Sequence, residues 1–281
     1  MGSLVRLLVG VQRALPGSVW AVRRLSSGAS EVYAARLDGS NEGIAEIIMS
    51  RPHARNSLGK VFVSEFFDTV DNLRHDSSVR VVVVKSSIPG IFCAGADLKE
   101  RAQMDNAEVS LFVQQLRKLM SEIAALPMPT IAAVDGFALG GGLELALACD
   151  LRVAASSAKM GLIETTRGLL PGAGGSQRLP RLLGIGLAKE LIFTGRQIDG
   201  TEAQHIGLVN DAVPQNEEGD AAYLRALELA QEILPQAPVA VRMAKLAMNR
   251  ALCTELVIPT KDRLEGMSAF REKRQPHYTG K

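Results

Sequence analysis

A chain of 281 residues is long enough for a sizeable core, and its 47% hydrophobic content is ordinary for a globular protein. Its 32 basic and 30 acidic residues nearly balance, which argues against a charge-based nucleic-acid surface. Asp135, Glu144 and Asp150 interrupt the most apolar stretch, 128–155. We therefore expect no membrane span, which needs roughly 18 uncharged residues.

The first 30 residues have the composition of a mitochondrial transit peptide. They contain four arginines and five serines, no acidic residue precedes Glu31, and leucines recur at helical spacing. Basic, acid-free, amphipathic segments of this kind direct proteins to mitochondria. We predict that residues 1–30 are a transit peptide and that the protein resides in the mitochondrial matrix. A basic tail without a targeting role is the alternative.

The rest of the chain alternates between predicted strands and helices. Strand-forming runs cover 32–37, 44–49, 79–85 and 130–134. Helical spacing covers 59–74, 107–125, 186–193, 201–205, 220–233, 238–252 and 262–272. This order predicts an α/β core over residues 31–220 and a helical C-terminal region over residues 221–281.

Two glutamates beside glycine-rich segments are candidates for chemistry. Glu144 follows the glycine triplet 140–142 inside an apolar run, and Glu164 precedes the glycine-rich segment 172–175. A buried carboxylate is costly unless it is paired, hydrogen-bonded or protonated. Two of them beside free backbone amides suit general acid–base catalysis next to a developing oxyanion. A buried but inert pair is the alternative.

The glycine triplet 140–142 follows a predicted strand and opens a predicted helix, where N–H groups lack intrahelical acceptors. A phosphate-binding loop would need G-K-[ST] at its end, which is absent. Close packing of helix on sheet is one interpretation. The other is an oxyanion donor at Gly141, with the N–H of Ala96 as a second donor. Each such donor would stabilise an enolate by about 3–4 kcal/mol.

Cys93, Cys149 and Cys253 are odd in number and far apart in sequence. They have neither the C-x-x-C spacing of redox motifs nor the ligand spacing of zinc sites. None lies in a setting typical of a reactive thiol. We therefore expect no metal site and no catalytic cysteine.

Four sequence blocks carry a resemblance to a known family. They are FCAGADLK at 92–99, ALGGGLEL at 138–145, GLLPGAGGSQRL at 168–179 and AFREKR at 269–274. With these blocks in this order, the chain resembles the enoyl-CoA hydratase/isomerase, or crotonase, family over nearly all of residues 32–281. Residues 51–58 and 260–266 are similar to the branch that contains methylglutaconyl-CoA hydratases and RNA-binding relatives.

The resemblance implies a crotonase-like spiral of strand–strand–helix units with a helical C-terminal oligomerisation region, assembled as a homotrimer or hexamer. It implies a 2-enoyl-CoA substrate from fatty-acid or branched-chain metabolism, and no cofactor, because coenzyme A is part of the substrate. Ala96 and Gly141 would supply the oxyanion-hole amides. Glu144 would activate water for attack at Cβ, and Glu164 would deliver a proton to Cα. Glutamate at both positions favours a hydratase.

The resemblance also implies positions that bind the substrate. Those that would contact coenzyme A or the thioester are Ala54, Arg55, Leu58, Asp97, Leu98, Lys99 and Gly172. Arg55 would pair with a CoA phosphate or be a solvated loop charge, and the amide of Gly172 would help to orient the water or Glu164. Phe112, Met120 and Met128 are candidates for the acyl pocket, with core packing as the alternative.

RNA binding is an alternative of a different class. The segment that matches the lysine-rich helix of the RNA-binding relative, 59–80, retains Lys60, Arg74 and Arg80. Glu65, Asp68 and Asp71 in the same segment offset these cations, whereas phosphate neutralisation needs uncompensated charge. We therefore expect no nucleic-acid partner.

The chain departs from the family pattern at 251–259, where a short connection ending in Pro259 replaces the acidic helix usual in the family. Loss of a helix there would expose apolar surface and favour aggregation or altered assembly. A catalytically impaired or non-enzymatic relative, with its catalytic residues intact, is therefore the second hypothesis.

Overall fold

The structure is a computed structural model that describes residues 19–20, 30–250 and 259–280. Most of the predicted transit peptide and nearly all of the shortened connection at 251–259 lie outside the described residues. Both therefore stay predictions.

The described residues form strands that are short and mostly buried. They are β1 (Val19–Trp20), β2 (Val32–Arg36), β3 (Ile44–Met49), β4 (Val81–Ser86), β5 (Ile91–Cys93), β6 (Thr130–Val134), β7 (Phe137–Leu139), β8 (Leu151–Ala155), β9 (Lys159–Gly161), β10 (Ile198–Asp199) and β11 (Asp211–Val213). The run of valines at 81–84 is fully buried, as expected of a parallel strand covered on both faces.

The helices lie between and after these strands. They are α1 (Lys60–Arg74), α2 (Leu98–Arg101), α3 (Asn106–Ala124), α4 (Gly141–Ala148), α5 (Gly175–Leu183), α6 (Ile185–Thr194), α7 (Gly200–His205), α8 (Ala221–Ile233), α9 (Pro238–Arg250) and α10 (Lys261–Glu272). No helix in the described part of the chain is long and apolar enough to cross a membrane.

The strands make two sheets that repeat one unit. One sheet has the order β1-β2-β3-β4-β6-β8-β11 and the other has the order β10-β9-β7-β5. Three times in succession the chain adds a strand to the first sheet, then a strand to the second, and then turns into a helix or helical turn. This is the predicted strand–strand–helix spiral, and it places the ends of β5, β7 and β9 side by side.

The main core lies between the two sheets and helices α1, α3 and α4. Every residue of α4 is buried, which is typical of a helix in the interior of a large domain. The outer face of the first sheet is covered by α8, whose buried positions are all alanine. Phe112, Met120 and Met128 are all buried in the main core.

Candidate active site

Glu144 lies in the first turn of the buried helix α4, and only 3% of it is exposed. Its Oε1 accepts hydrogen bonds from the N–H of Ala173 at 2.9 Å and the N–H of Gly175 at 2.7 Å. Burial raises the pKa of Glu144, while these amides and the charge of Arg178 oppose the rise. The partners therefore support an ionised, fixed carboxylate that is able to accept a proton.

Glu164 begins a short 3₁₀ helix shortly after β9, and its hydrogen bonding differs from that of Glu144. Its Oε1 lies so close to Gly140 that an added Cβ there would be 3.3 Å away, which places the carboxyl over the start of α4. Its Oε2 is buried and has no hydrogen-bond partner among the described residues. Burial, with the charge of Glu144 as the second cause, raises the pKa of Glu164 to about 7. This group can hold and release a proton near neutral pH.

Two backbone N–H groups meet beside these carboxyls. Leu58 and Ala96 form a parallel bridge in which Leu58 donates to Gly95 O at 2.8 Å and Asp97 donates to Leu58 O at 3.4 Å. This pattern leaves the N–H of Ala96 directed away from Leu58. The N–H of Gly141 starts α4, so no intrahelical carbonyl can satisfy it. Neither group donates to an acceptor within the described residues.

The spacing of neighbouring atoms shows that these two amides are close. A Cβ added to Gly141 would lie 3.8 Å from the nitrogen of Ala96, and one added to Gly95 would lie 3.5 Å from the nitrogen of Gly141. Gly95 has a φ of +98°, a conformation that favours glycine. The predicted pair, Ala96 and Gly141, therefore forms a candidate oxyanion hole at the end of β5 and the start of α4.

The predicted CoA-binding positions before α1 lie beside this hole. Ala94 donates to the carbonyl of Arg55 at 3.1 Å, so the segments 54–58 and 94–99 run next to each other. Arg55 is exposed in the left-handed conformation, Ala54 is half-buried, and Leu58 is fully buried. The structure thus brings these positions to one edge of the candidate site.

The three predicted substrate-binding residues after Ala96 differ in exposure and in contacts. Leu98 and Lys99 are exposed at the start of α2. Asp97 caps that helix, because its Oδ1 accepts from the N–H groups of Lys99 and Glu100, and its Oδ2 binds Arg51 at 2.8 Å. The carboxylate of Asp97 is therefore already held by the protein.

The glycine-rich loop before α5 contacts Glu144 through residues that sequence reasoning missed. The bonds to Glu144 come from Ala173 and Gly175, and the role predicted for the amide of Gly172, to orient the water or Glu164, stays a prediction. The carbonyl of Gly172 accepts from Arg117 Nε at 3.3 Å. The glycine run itself was the only signal for this loop, because backbone donors have no sequence signature of their own.

The three cations considered for RNA binding, in and after α1, already have partners within the protein. Lys60 pairs with Glu108 at 3.7 Å, Arg74 pairs with Glu122, and Arg80 donates to a backbone carbonyl between α8 and α9. Paired cations offer little to a phosphate backbone. In the described residues, no group of three or more His, Cys, Asp or Glu side chains is arranged to hold a metal ion.

Comparisons with known proteins agree with this geometry. A family model described as enoyl-CoA hydratase/isomerase matches residues 39–281. Enoyl-CoA hydratase domain-containing protein 2, mitochondrial, from Homo sapiens is 65% identical over 269 residues, which cover 91% of this chain and 92% of the relative. Methylglutaconyl-CoA hydratase, mitochondrial, from Homo sapiens is 54% identical over 263 residues, which cover 89% and 78%.

Solved structures give the same result. The crystal structure of an enoyl-CoA hydratase from Bacillus anthracis has a TM-score of 0.82 at 42% identity and covers 89% of this chain and 100% of its own. An enoyl-CoA hydratase structure from Geobacillus kaustophilus has a TM-score of 0.83 at 35% identity and covers 91% and 98%. The fold predicted from the sequence is therefore confirmed.

Proposed function

Because this chain belongs to the enoyl-CoA hydratase/isomerase family, we propose that it adds water across the double bond of a 2-enoyl-CoA thioester. The observation that carries the proposal is the pair of carboxyls, of which the buried Glu144 is held by two amides and the half-buried Glu164 has its pKa raised to about 7. Pairs of titratable groups in unlike environments suit separate acid and base roles.

Each step uses a group already described. The thioester oxygen accepts hydrogen bonds from the N–H groups of Ala96 and Gly141. Glu144 takes a proton from water as the hydroxide bonds to Cβ, and the enolate charge moves onto the thioester oxygen. Protonated Glu164 then delivers its proton to Cα. Transfer of one proton from Glu144 to Glu164 through solvent restores both groups.

The compartment and the assembly set the context of this reaction. The protein is mitochondrial, as are its relatives of 65% identity. We place it in the matrix, acting in fatty-acid or branched-chain acyl-CoA metabolism as a homotrimer or hexamer with no separate cofactor. The candidate CoA contacts at the rim of the site are Ala54, Arg55, Leu58, Asp97, Leu98, Lys99 and Gly172.

Hydration of crotonyl-CoA by the purified protein, followed as loss of enoyl absorbance, tests the proposal. We expect turnover, together with a single oligomeric species in size-exclusion chromatography with light scattering. Absence of turnover in a well-folded oligomer, with methylglutaconyl-CoA tried as well, would refute hydration of these substrates. Absence of turnover in an aggregated sample would instead support the hypothesis that the shortened connection at 251–259 impairs the chain.

The pH dependence of this reaction is expected to follow Glu164. The acid must be protonated to deliver its proton, and burial raises its pKa to about 7. We therefore expect kcat/KM to fall as the pH rises above about 7, by about tenfold per pH unit well beyond that value. A profile of kcat/KM from pH 5 to pH 9 checks this, and a flat profile up to pH 9 would contradict the assignment of Glu164 as the acid.

A further inference from the structure

A buried arginine outside the catalytic set lies at the centre of a charged cluster. Only 6% of Arg51 is exposed. Its Nε donates to Glu31 at 3.0 Å and its Nη2 donates to Glu100 at 2.7 Å. Its Nη1 lies 2.8 Å from Asp97 Oδ2, 2.9 Å from the carbonyl of Ser57 and 3.1 Å from the hydroxyl of Ser57. One guanidinium therefore holds three carboxylates and a backbone carbonyl.

The cluster depends on this arginine. Its three carboxylates come from two separate parts of the chain: Glu31 directly precedes β2, whereas Asp97 caps α2 and Glu100 lies within that helix. Like charges at this proximity repel one another unless a cation lies between them. Removal of one partner from a buried ion pair is strongly destabilising, because the remaining charge is left uncompensated. Arg51 thus fixes the relative positions of the segments that supply these groups.

Two of those contacts flank the Leu58–Ala96 bridge. Ser57 precedes Leu58, and Asp97 follows Ala96. Arg51 therefore holds one residue on each strand of the bridge from which the N–H of Ala96 projects. Leu58 also packs under the second donor, since a Cβ added to Gly141 would lie 2.7 Å from Leu58 Cδ1.

We propose that Arg51 is a positioning residue of the oxyanion hole, which acts by locking the peptide of Ala96 in line with that of Gly141. The inference rests on the proposed function, because it assigns a purpose to Arg51 only if a thioester oxygen binds these amides. A donor held within a fraction of an ångström of its productive position stabilises the enolate without reorganising. The side chain of Arg51 binds neither Glu144 nor Glu164 but contacts Ser57 and Asp97, so its effect passes through those two residues.

The C=O stretching frequency of bound butyryl-CoA carrying ¹³C at the thioester carbon tests this inference. This saturated ligand cannot be hydrated, and isotope-edited infrared difference spectra report how strongly the two amides polarise its carbonyl. In the unmodified protein we expect a shift to lower frequency than in water. In Arg51→Lys, which keeps the charge and loses the fork of donors, we expect the frequency to return toward its value in water.

Kinetics supply a second measurement on the same variant. We expect kcat for crotonyl-CoA to fall by about 10- to 100-fold in Arg51→Lys, with KM much less affected, because the contact matters most when charge develops on the oxygen. Arg152→Lys is the matched control. Arg152 is also 6% exposed, but it binds the carbonyls of Ala146, Cys149 and Leu208 at the opposite end of α4. We expect this control to keep the low C=O frequency.

The outcomes separate the inference from the proposed function. If the unmodified protein shows no frequency shift, Ala96 and Gly141 do not form an oxyanion hole. Both the proposed function and the role of Arg51 would then be wrong. A shift that Arg51→Lys retains in full would overturn the role of Arg51 alone. If Arg51→Lys does not fold, Glu100→Gln weakens the same cluster at a partly exposed position. We expect a smaller return of the frequency there, and an unchanged frequency in Glu100→Gln would also overturn the inference.

Discussion

Replacing Glu144 or Glu164 by glutamine is expected to lower kcat for crotonyl-CoA hydration by about 10²- to 10⁴-fold in each case. Glutamine has nearly the same shape as glutamate but cannot take up or deliver a proton in this pH range. In Glu144→Gln the side-chain oxygen can still accept from the N–H groups of Ala173 and Gly175. The loss should therefore reflect chemistry rather than a displaced loop. Initial rates at saturating substrate measure the effect.

The same change at a buried glutamate outside the site is the control. Glu46 in β3 is 6% exposed and lies 3.9 Å from Lys85, in the sheet that α8 covers. We expect Glu46→Gln to leave kcat essentially unchanged. Unchanged kcat in both Glu144→Gln and Glu164→Gln would mean that the pair is buried but inert, and the proposed hydration mechanism would then be wrong.

Gly142→Ala is expected to destabilise the fold by at least about 3 kcal/mol, or to prevent folding. An added Cβ would lie 2.1 Å from the carbonyl oxygen of Cys93 and 2.8 Å from its carbonyl carbon. Both atoms belong to the backbone of β5, so no side-chain rotation can relieve the contact. This glycine thus allows the close approach of α4 and β5, which in turn places Gly141 beside Ala96. The midpoint of urea unfolding measures the change.

Gly186→Ala provides the opposite expectation for the same substitution. Gly186 lies inside α6, its φ is not in the left-handed region, and no heavy atom lies within 4 Å of an added Cβ. Alanine there should stabilise the protein by about 0.5–1 kcal/mol, because it restricts the unfolded chain and favours the helix. If Gly142→Ala instead unfolded at the same urea concentration as the unmodified protein, α4 could not pack against β5 as described.

Long, periodic segments were the most predictable part of the fold. The sequence predicted a helix over 59–74 and a strand over 130–134, and the structure has Lys60–Arg74 and Thr130–Val134. These segments bury one face or a whole strand, so their hydrophobic pattern follows directly from the core. Glu144 was also identifiable as a candidate, because an acidic residue in so apolar a segment as α4 requires a partner.

Other parts of the molecule left little trace in the sequence. Strands β5, β7 and β9 have three residues each, too few for a period-two pattern to stand out. Helix α5 begins after Gly174 and contains Pro180, so its composition indicates a loop. Arg51 binds residues up to 49 positions away in the sequence, and such contacts depend on the tertiary fold.

The residues of the candidate site are far apart in sequence, which affects when the site forms during folding. The amide of Ala173 is 29 residues from the carboxylate it holds, and Arg51 is 46 residues from Asp97. Both contacts join segments that lie far apart along the chain. Contacts between distant residues form late, because loop closure must precede them. Helices and strands can therefore be in place before the candidate site is assembled.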